Sequence, residues 1–331
     1  EPQLRQLLMS RTLKALIALA VVVLLAFTGM AWFARGEAAR LVTSPLDSRR
    51  PIDETPADVG MAYRDVTVTS ADGVNLAGWW TPSENGAALI LQHGYKVNRS
   101  TDLLGIAALF AEHGYGVLLS SVRAHDVNGG ELITFGREEM QDLAAWSDSA
   151  RLADGVDPER IGIFGNSLGG SLEIQVAAQS PEIKAVVAHS AFASMRSTVE
   201  TSVRYFTGLP PFPFAPMIVF WVGRDRGMYL DDFDFTQWVD DLSPRPILFL
   251  QGGADVVVTP ESGRLLYDAA REPKELWFDP DLEHIAFFDE RPDEFERRVV
   301  GFYDRYLPAP VPASAAEETD GAPATDPLGA R

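Results

Sequence analysis

A pentapeptide near the middle of the chain carries a candidate nucleophile. The sequence GNSLG at 165–169 fits the pattern G-x-S-x-G, in which a serine sits on a strained turn between a strand and a helix. The two glycines lie where only a small residue lets the chain pass closely. The apolar run RIGIF at 160–164 precedes the motif, and the spacing of a phosphate-binding loop is absent. The pattern therefore predicts that Ser167 is a nucleophile.

The candidate base is a histidine that follows this serine, because a hydroxyl is a poor nucleophile until a neighbouring base takes its proton. The chain has five histidines, which are His93, His113, His125, His189 and His284. His93 and His125 lie in loops after earlier strands, on the wrong side of the serine for this chain order. His113 ends a predicted helix, and His189 ends a strand and is typical of a core residue. His284 follows the last predicted strand, as the chain order Ser, Asp, His requires. We expect His284 to be the base.

The candidate acid is an aspartate that would hold the imidazole and stabilise its charged form. Asp255 closes the segment QGGAD at 251–255, directly after the apolar run ILFL at 247–250. Asp279 and Asp281 lie beside the histidine and are the alternatives. The position after a strand and the chain order favour Asp255.

Acyl transfer also requires an oxyanion hole, because the tetrahedral intermediate concentrates negative charge on one oxygen. The segment QHGY at 92–95 turns from an early strand towards the next helix. The backbone N–H groups of Tyr95 and Leu168, one from each strand-to-helix turn, are the predicted pair of donors.

Strand and helix patterns alternate around these residues. Helical patterns cover 103–110, 137–152, 171–179 and 293–306. Strand patterns cover 63–69, 76–81, 87–92, 116–121, 160–164, 185–188, 247–250 and 275–278. The first two strands form a hairpin, and the later ones are continuous apolar runs that are typical of parallel strands covered on both faces. The sequence predicts an α/β fold with a mostly parallel, doubly wound sheet.

One segment interrupts this alternation. Residues 191–242 contain eleven aromatic side chains and four closely spaced prolines, and the segment is too long for an ordinary connection. We expect a mainly helical cap over the carboxyl ends of the strands, where ligands bind in such sheets. The aromatic side chains could also serve only to build the small core of this insertion.

The N-terminal region contains 20 uncharged residues, at 15–34, which is enough to cross the hydrocarbon core of a membrane as a helix. A cleaved signal peptide is the alternative, because small residues follow at Ala38 and Ala39. Trp32 is typical of a membrane interface. Basic residues flank both ends and do not fix the orientation. The basic group before the span resembles a signal anchor and favours an extracytoplasmic catalytic domain.

The expected organisation follows from these assignments. Residues 1–35 form a tail and transmembrane anchor, 36–60 a linker, 61–307 the catalytic domain with its cap, and 308–331 a disordered tail rich in proline, alanine and acidic residues.

The composition excludes several classes of function. A formal net charge of −19 argues against nucleic acid as a partner, because no basic surface dominates. The chain has no cysteine, which excludes a thiol nucleophile, a disulfide framework and cysteine-ligated metal sites.

These motifs together resemble the α/β-hydrolase superfamily over about residues 63–307. The chain is most similar to membrane-tethered hydrolases related to serine aminopeptidases and acyl-lipid lipases. The resemblance implies acyl transfer to water through an acyl-serine intermediate, without a metal or an organic cofactor. Two departures occur. Relatives carry R-G-H-G-x-S where this chain has RAHDVN at 123–128, and Glu283 precedes the histidine where glycine is frequent.

The leading hypothesis is a serine hydrolase that cleaves carboxylic esters, with a small-molecule or lipid-like substrate. A peptidase or amidase with the same triad differs only in its leaving group and stays open. A catalytically inactive, membrane-bound binding module is the third interpretation, since a fold alone does not determine function.

Overall fold

Eight strands form one sheet in the computed structural model, which describes residues 2–309 and the side chains from residue 11 onward. The order across the sheet is β1-β2-β4-β3-β5-β6-β7-β8. Strand β2 is antiparallel to both of its neighbours, and the other six strands, β3 to β8, are parallel to one another. The strands are β1 (Arg64–Thr69), β2 (Asn75–Thr81), β3 (Ala88–Gln92), β4 (Gly116–Ser120), β5 (Ile161–Asn166), β6 (Ile183–His189), β7 (Ile247–Gly252) and β8 (Lys274–Asp279). The predicted fold class is confirmed.

The central strands are buried along their whole length. Every residue of β3, β4, β5 and β7 is buried, which explains their continuous apolar sequences. The chain order reverses at β3, which lies between β4 and β5. The loops that follow β3 and β5 therefore leave in opposite directions, and the crevice between them is where ligands bind in open α/β sheets.

Helices cover both faces of the sheet. They are α1 (Pro2–Val42), α2 (Leu104–Glu112), α3 (Glu139–Arg151), α4 (Leu168–Gln179), α5 (Met195–Thr207), α6 (Pro211–Arg226), α7 (Thr236–Val239), α8 (Pro260–Ala269), α9 (Phe287–Glu290), α10 (Pro292–Phe295) and α11 (Gly301–Tyr306). A π-helical segment, Glu296–Val300, joins α10 to α11. One core includes Trp146 of α3 and Leu172 of α4, and the other includes Phe110 of α2 and Tyr303 of α11.

The residues between β6 and β7 form the cap, which contains α5, α6 and α7. Helix α5 begins after Ser194, whose side chain accepts a hydrogen bond from the Ser197 N–H, and it ends at Gly208. Helix α6 spans Pro211–Arg226 with a break at Phe212, whose backbone is extended at φ −92° and ψ 132°, and it ends at Gly227 in the left-handed conformation. The two helices are bent by 119° relative to each other.

Helix α1 extends beyond the predicted anchor. Its side chains from residue 11 to residue 29 are exposed, whereas Ala34, Ala38 and Val42 are buried against the domain. The helix therefore continues to Val42, into the segment predicted to be a linker, because these small residues share one face and pack into the core. From residue 310 onward, the tail that was predicted to be disordered lies outside the part of the chain that the structure describes.

Helix α1 also has the composition of a membrane span. From Arg11 to Val42 it is long and apolar enough to cross a membrane, and its most apolar window has a mean hydropathy of 2.5. Among the described residues, α5 and α6 are also long and apolar enough to cross a membrane if the bent pair is counted as one segment.

Candidate active site

Ser167 occupies a strained turn between β5 and α4. Its backbone lies at φ 56° and ψ −117°, a conformation that costs energy for any residue other than glycine and occurs mainly at functional sites. A Cβ on Gly165 would lie 2.5 Å from backbone atoms of Gly169 and Gly170, and one on Gly169 would lie 2.7 Å from the carbonyl oxygen of His93. The glycines of the motif are therefore required by close backbone contacts.

Asp255 and His284 are joined by a direct hydrogen bond. The imidazole Nδ1 lies 2.7 Å from Asp255 Oδ2, and the other carboxyl oxygen accepts the N–H groups of Val257 at 2.9 Å and Val258 at 2.8 Å. Asp255 is 2% exposed. Because an ionised carboxylate only accepts, Nδ1 carries the proton and Nε2 is the nitrogen that can take a proton from a nucleophile.

The loops that carry these two residues pack directly on each other. The Gly253 N–H donates to the Asp279 carbonyl at 2.7 Å, and the Ala254 N–H donates to the Leu282 carbonyl at 3.0 Å. A Cβ on Gly252 would collide with the Leu282 carbonyl. The glycine pair after β7 therefore brings the loop after β8 close enough for the aspartate to reach the histidine.

The alternative acids have other surroundings. Asp279 forms an ion pair with Arg291 at 3.2 Å and accepts the N–H of Asp281 at 3.0 Å, while Asp281 itself is exposed. Asp255 is the acid that the structure brings to His284.

Ser167 and His284 line one cavity of about 540 Å³. Within the described part of the chain, no hydrogen bond joins the serine hydroxyl to the imidazole. Catalytic hydrogen bonds are often long in structures without substrate and shorten when it binds. The arrangement places the predicted nucleophile and the predicted base on one cavity, with the imidazole oriented by Asp255.

The two predicted oxyanion donors also line this cavity. Among the described residues, neither the backbone N–H of Tyr95 nor that of Leu168 has an acceptor, so both can donate to a ligand. The chain at Gly94 passes close to Ser167, since a Cβ at that glycine would lie 3.4 Å from the serine Cβ.

The end of α1 holds the loop that carries Tyr95. The Tyr95 hydroxyl donates to the Leu41 carbonyl at 2.6 Å, and the Lys96 ammonium donates to the Arg40 carbonyl. These carbonyls belong to the last turn of α1, where backbone acceptors have no helical partner. Burial raises the pKa of Tyr95 further above its usual value, so the hydroxyl keeps its proton and acts as a donor. Sequence reasoning missed this contact, which joins residues far apart along the chain.

Two buried histidines support the same loop from behind. His125 Nδ1 donates to the Arg123 carbonyl at 2.9 Å, and its Nε2 accepts the Lys96 N–H at 3.1 Å. His93 Nδ1 donates to the Gly94 carbonyl at 2.8 Å. Burial lowers the pKa of His93 to about 4 and that of His125 well below its usual value, so both rings are neutral at pH 7. The unusual RAHD sequence was the signal that could have indicated this supporting role.

A third histidine positions the residue before the nucleophile. His189 Nδ1 donates to the Asn166 side-chain oxygen at 2.9 Å, and the Asn166 amide donates to the Asp102 carbonyl at 3.1 Å. Burial lowers the pKa of His189 to about 3, so it stays neutral. Its predicted place in the core is confirmed, and its ring also fixes the turn that presents Ser167.

The upper part of the cavity is formed by the cap and by α1. The cavity that Ser167 lines is also lined by Met195, Val199 and Val203 of α5, by Ile218 of α6, and by Glu37, Arg40 and Leu41 of α1. The N-terminal helix is therefore part of the site.

Comparison with known proteins shows the family of this chain. The sequence profile of the prolyl oligopeptidase family matches residues 103–309. The protein Rv2307c of Mycobacterium tuberculosis (strain ATCC 25618 / H37Rv) is 30% identical over 280 residues, which cover 82% of this chain and 88% of that protein. The protein YfhR of Escherichia coli O157:H7 is 28% identical over 247 residues, which cover 72% of this chain and 79% of YfhR.

Solved structures share the fold. The esterase Pf2001 of Pyrococcus furiosus superposes with a TM-score of 0.69 at 26% identity, covering 81% of this chain and 98% of the esterase. Acetyl xylan esterase 1 from Thermoanaerobacterium sp. JW/SL YS485 superposes with a TM-score of 0.57 at 19% identity, covering 83% and 93% of the two chains. The second comparison bears on the fold alone.

Proposed function

This chain belongs to the prolyl oligopeptidase family of hydrolases, and from that premise we propose that it is a membrane-anchored serine hydrolase that cleaves carboxylic esters. The observation that carries the proposal is the hydrogen bond between the buried Asp255 and His284, on the cavity that Ser167 and the backbone N–H groups of Tyr95 and Leu168 also line. Helix α1 is the proposed single-pass anchor, and the catalytic domain is proposed to lie outside the cytoplasm.

The chemistry follows from these positions. As Ser167 Oγ adds to the ester carbonyl carbon, His284 Nε2 takes the hydroxyl proton and Asp255 stabilises the imidazolium. The carbonyl π-electrons move to the oxygen, which accepts hydrogen bonds from the Tyr95 and Leu168 N–H groups. Collapse of this intermediate breaks the bond to the leaving alkoxide, which receives the proton from His284.

The second half of the reaction restores the enzyme. Water gives a proton to His284 Nε2 and its oxygen adds to the acyl carbon. The tetrahedral species then collapses, the bond to Ser167 Oγ breaks, and the serine regains its proton from the imidazole. The products are the alcohol and the carboxylic acid. None of these steps uses a metal or an organic cofactor.

The lining of the cavity favours an ester with an apolar acyl group. Apolar side chains of α5 and α6 face Ser167, and these would bury a hydrocarbon chain. The similarity to an esterase at 26% identity supports the same class. The family match also supports the peptidase alternative, which uses the same residues on an amide.

The test is hydrolysis of p-nitrophenyl esters of increasing chain length by the full chain in detergent, with Ser167→Ala beside it. We expect turnover that disappears in Ser167→Ala. A fluorophosphonate probe provides a second readout, since it labels an activated serine whatever the leaving group. Labelling of Ser167 without ester turnover would favour a peptidase, and the absence of both would favour an inactive binding module.

A further inference from the structure

The cavity extends from Ser167 to the turn between α5 and α6. Its lining includes Ser202, Tyr205, Phe206 and Thr207 at the end of α5, and Arg40 and Leu41 of α1 lie across from them. A substrate could therefore occupy a path that runs from the nucleophile, between the cap and α1, to the end of the cap at this turn.

The length of α1 indicates how close the cap would lie to a bilayer. A span of about 20 residues crosses a hydrocarbon core of about 30 Å. The uncharged segment is 15–34, but its side chains are all exposed only as far as residue 29; beyond that, Phe33 packs on Phe214 of α6 and Ala34 is fully buried. Residues 30–34, which form the last part of the span and are about 7 Å long at the rise of an α-helix, would then lie against the cap. A full crossing requires the cap to touch the membrane.

The contacts of α6 identify the end of the cap that faces the bilayer. Phe214, near the start of α6, packs edge-to-face on Phe33 with ring centroids 5.6 Å apart, and Asp225, near its end, pairs with Arg35 at 2.7 Å. Phe33 is in the uncharged segment of α1 and Arg35 is the first charged residue after it, so the two contacts lie about 3 Å apart along α1. Helix α6 therefore begins against the last residues of the uncharged segment, and the turn between α5 and α6 lies beside them.

Large aromatic side chains are exposed at this turn. Phe206 is 70% exposed and Phe212 is 79% exposed, and Trp32 of α1 is 81% exposed. Exposed aromatic residues that lie together mark interaction surfaces, and aromatic rings are enriched at membrane interfaces. The α5–α6 pair also has the length and hydropathy of a bent membrane segment.

We propose that the α5–α6 turn inserts into the leaflet beside α1, and that the substrate is an acyl ester of a membrane lipid whose acyl chain enters the cavity directly from the bilayer. The proposal rests on the proposed serine hydrolase function and on α1 as its anchor. Insertion is driven by apolar contact, because a net charge of −19 provides no general attraction to anionic lipids.

The first test compares a soluble ester with a membrane ester on the full chain in phosphatidylcholine vesicles. Phe212→Asp should lower hydrolysis of p-nitrophenyl palmitate held in the vesicles by about tenfold or more, since a charge would replace the aromatic side chain that inserts into the leaflet. Hydrolysis of soluble p-nitrophenyl butyrate should stay within about twofold, because Phe212 does not line the cavity. Tyr229→Asp is the matched control, because Tyr229 is 64% exposed and follows the opposite end of α6.

A second measurement does not depend on activity. The chain has no cysteine, so Phe212→Cys and Tyr229→Cys each provide one site for an environment-sensitive fluorophore. The label at 212 should shift to the blue on vesicles and be quenched by brominated phosphatidylcholine, whereas the label at 229 should do neither.

The two proposals fail in different ways. Equal vesicle activity of Phe212→Asp and the unmodified chain, or equal quenching at 212 and 229, would overturn leaflet insertion while Ser167-dependent hydrolysis of the soluble ester stands. The absence of Ser167-dependent hydrolysis of the soluble ester would overturn the serine hydrolase function itself.

Discussion

The candidate catalytic loops, which carry Ser167, Asp255 and His284, and the surface formed by α1 and the cap meet at one cavity, but different forces hold them in place. Around Ser167 and His284, buried polar groups are fixed by short hydrogen bonds, as Asp255 and Asn166 illustrate. Across the cavity, apolar packing dominates, with buried residues such as Val203 and Ile218 and exposed aromatic rings such as Phe212. The first region fixes reacting atoms, and the second provides a wall that can accept an acyl chain.

The two regions differ in how large a displacement of their atoms they tolerate. A hydrogen-bonded loop loses its function when one atom moves by about 1 Å, because reacting groups must be aligned. An apolar wall keeps much of its contact energy after a small shift, because burial of apolar surface has no directional requirement. We therefore expect changes in the catalytic loops to affect turnover strongly, and changes in the cap to affect mainly the choice of substrate.

The largest effect is expected at the acid. Asp255→Asn should lower kcat on a short ester by roughly 10⁴-fold, because an amide cannot hold the reactive tautomer of the histidine. Steady-state kinetics with p-nitrophenyl butyrate measure it. Asp279→Asn is the matched control, since that aspartate lies in the same region but pairs with Arg291. A comparable loss in Asp279→Asn and none in Asp255→Asn would reverse the assignment of the acid.

The next effect concerns the two parts of α1. Deletion of residues 1–29 removes the exposed part of the helix, and turnover of a soluble ester in detergent should stay within about threefold. Deletion of residues 1–43 also removes the acceptors of Tyr95 and Lys96, and kcat should fall by on the order of 10²-fold, as for loss of an oxyanion donor. Equal activity of the two truncated chains would show that the last turns of α1 do not position the site.

A smaller effect isolates one contact within that region. Tyr95→Phe removes the hydroxyl that donates to Leu41 but keeps the ring and the backbone N–H. We expect kcat to fall about tenfold with little change in KM, since a donor that is less well placed stabilises the transition state more than it binds substrate. Tyr303→Phe is the control, because it removes a buried hydroxyl that donates to the Ile163 carbonyl at 2.7 Å on the other side of the sheet. An equal loss in both variants would indicate a general loss of stability.

Much of the fold could be predicted because its signals are local. Buried parallel strands are short apolar runs between turns, and all eight predicted strands occur with shifts of at most about two residues, as for β6. The turn at Ser167 was predictable for the same reason, since its glycines and its strand are adjacent in sequence. The pairing of Asp255 with His284 follows from chain order in this fold, while their catalytic roles stay predictions.

The supporting contacts could not be predicted, because they join distant segments. Residues 36–42 have the composition of a linker, and their helical state depends on burial of Ala38 and Val42 against the domain. The hydrogen bond from Tyr95 to Leu41 and the one from Lys96 to His125 have no pattern in the sequence. Tertiary packing decides such contacts, and local propensity does not report them.

The smallest effect concerns stability beneath the catalytic turn. Glu173 of α4 is fully buried, and among the described residues neither of its carboxyl oxygens has a hydrogen-bond partner. Burial raises the pKa of this carboxyl well above its usual value of 4.5. The folded protein keeps this proton at pH values where the unfolded chain has released it, so the free energy of unfolding must fall as pH rises above that value.

Glu173→Gln removes this titration, and its thermal midpoint should rise relative to the unmodified chain as pH increases from 5 to 8. We expect the difference in the free energy of unfolding to grow by up to about 1.4 kcal/mol per pH unit, because the unmodified folded chain holds a proton that its unfolded state has released. Glu139→Gln should instead lower the thermal midpoint, because the Glu139 carboxyl accepts the Thr134 N–H at 2.7 Å and the Gly136 N–H at 2.8 Å, and an amide can replace only part of this acceptance. Burial also raises the pKa of Glu139, so the pH trend of this difference should have the same direction as for Glu173→Gln. Midpoints of Glu173→Gln that run parallel to those of the unmodified chain would contradict a proton held beneath the nucleophile. A difference that grows with pH would mean that part of the catalytic region is folded at a cost in stability.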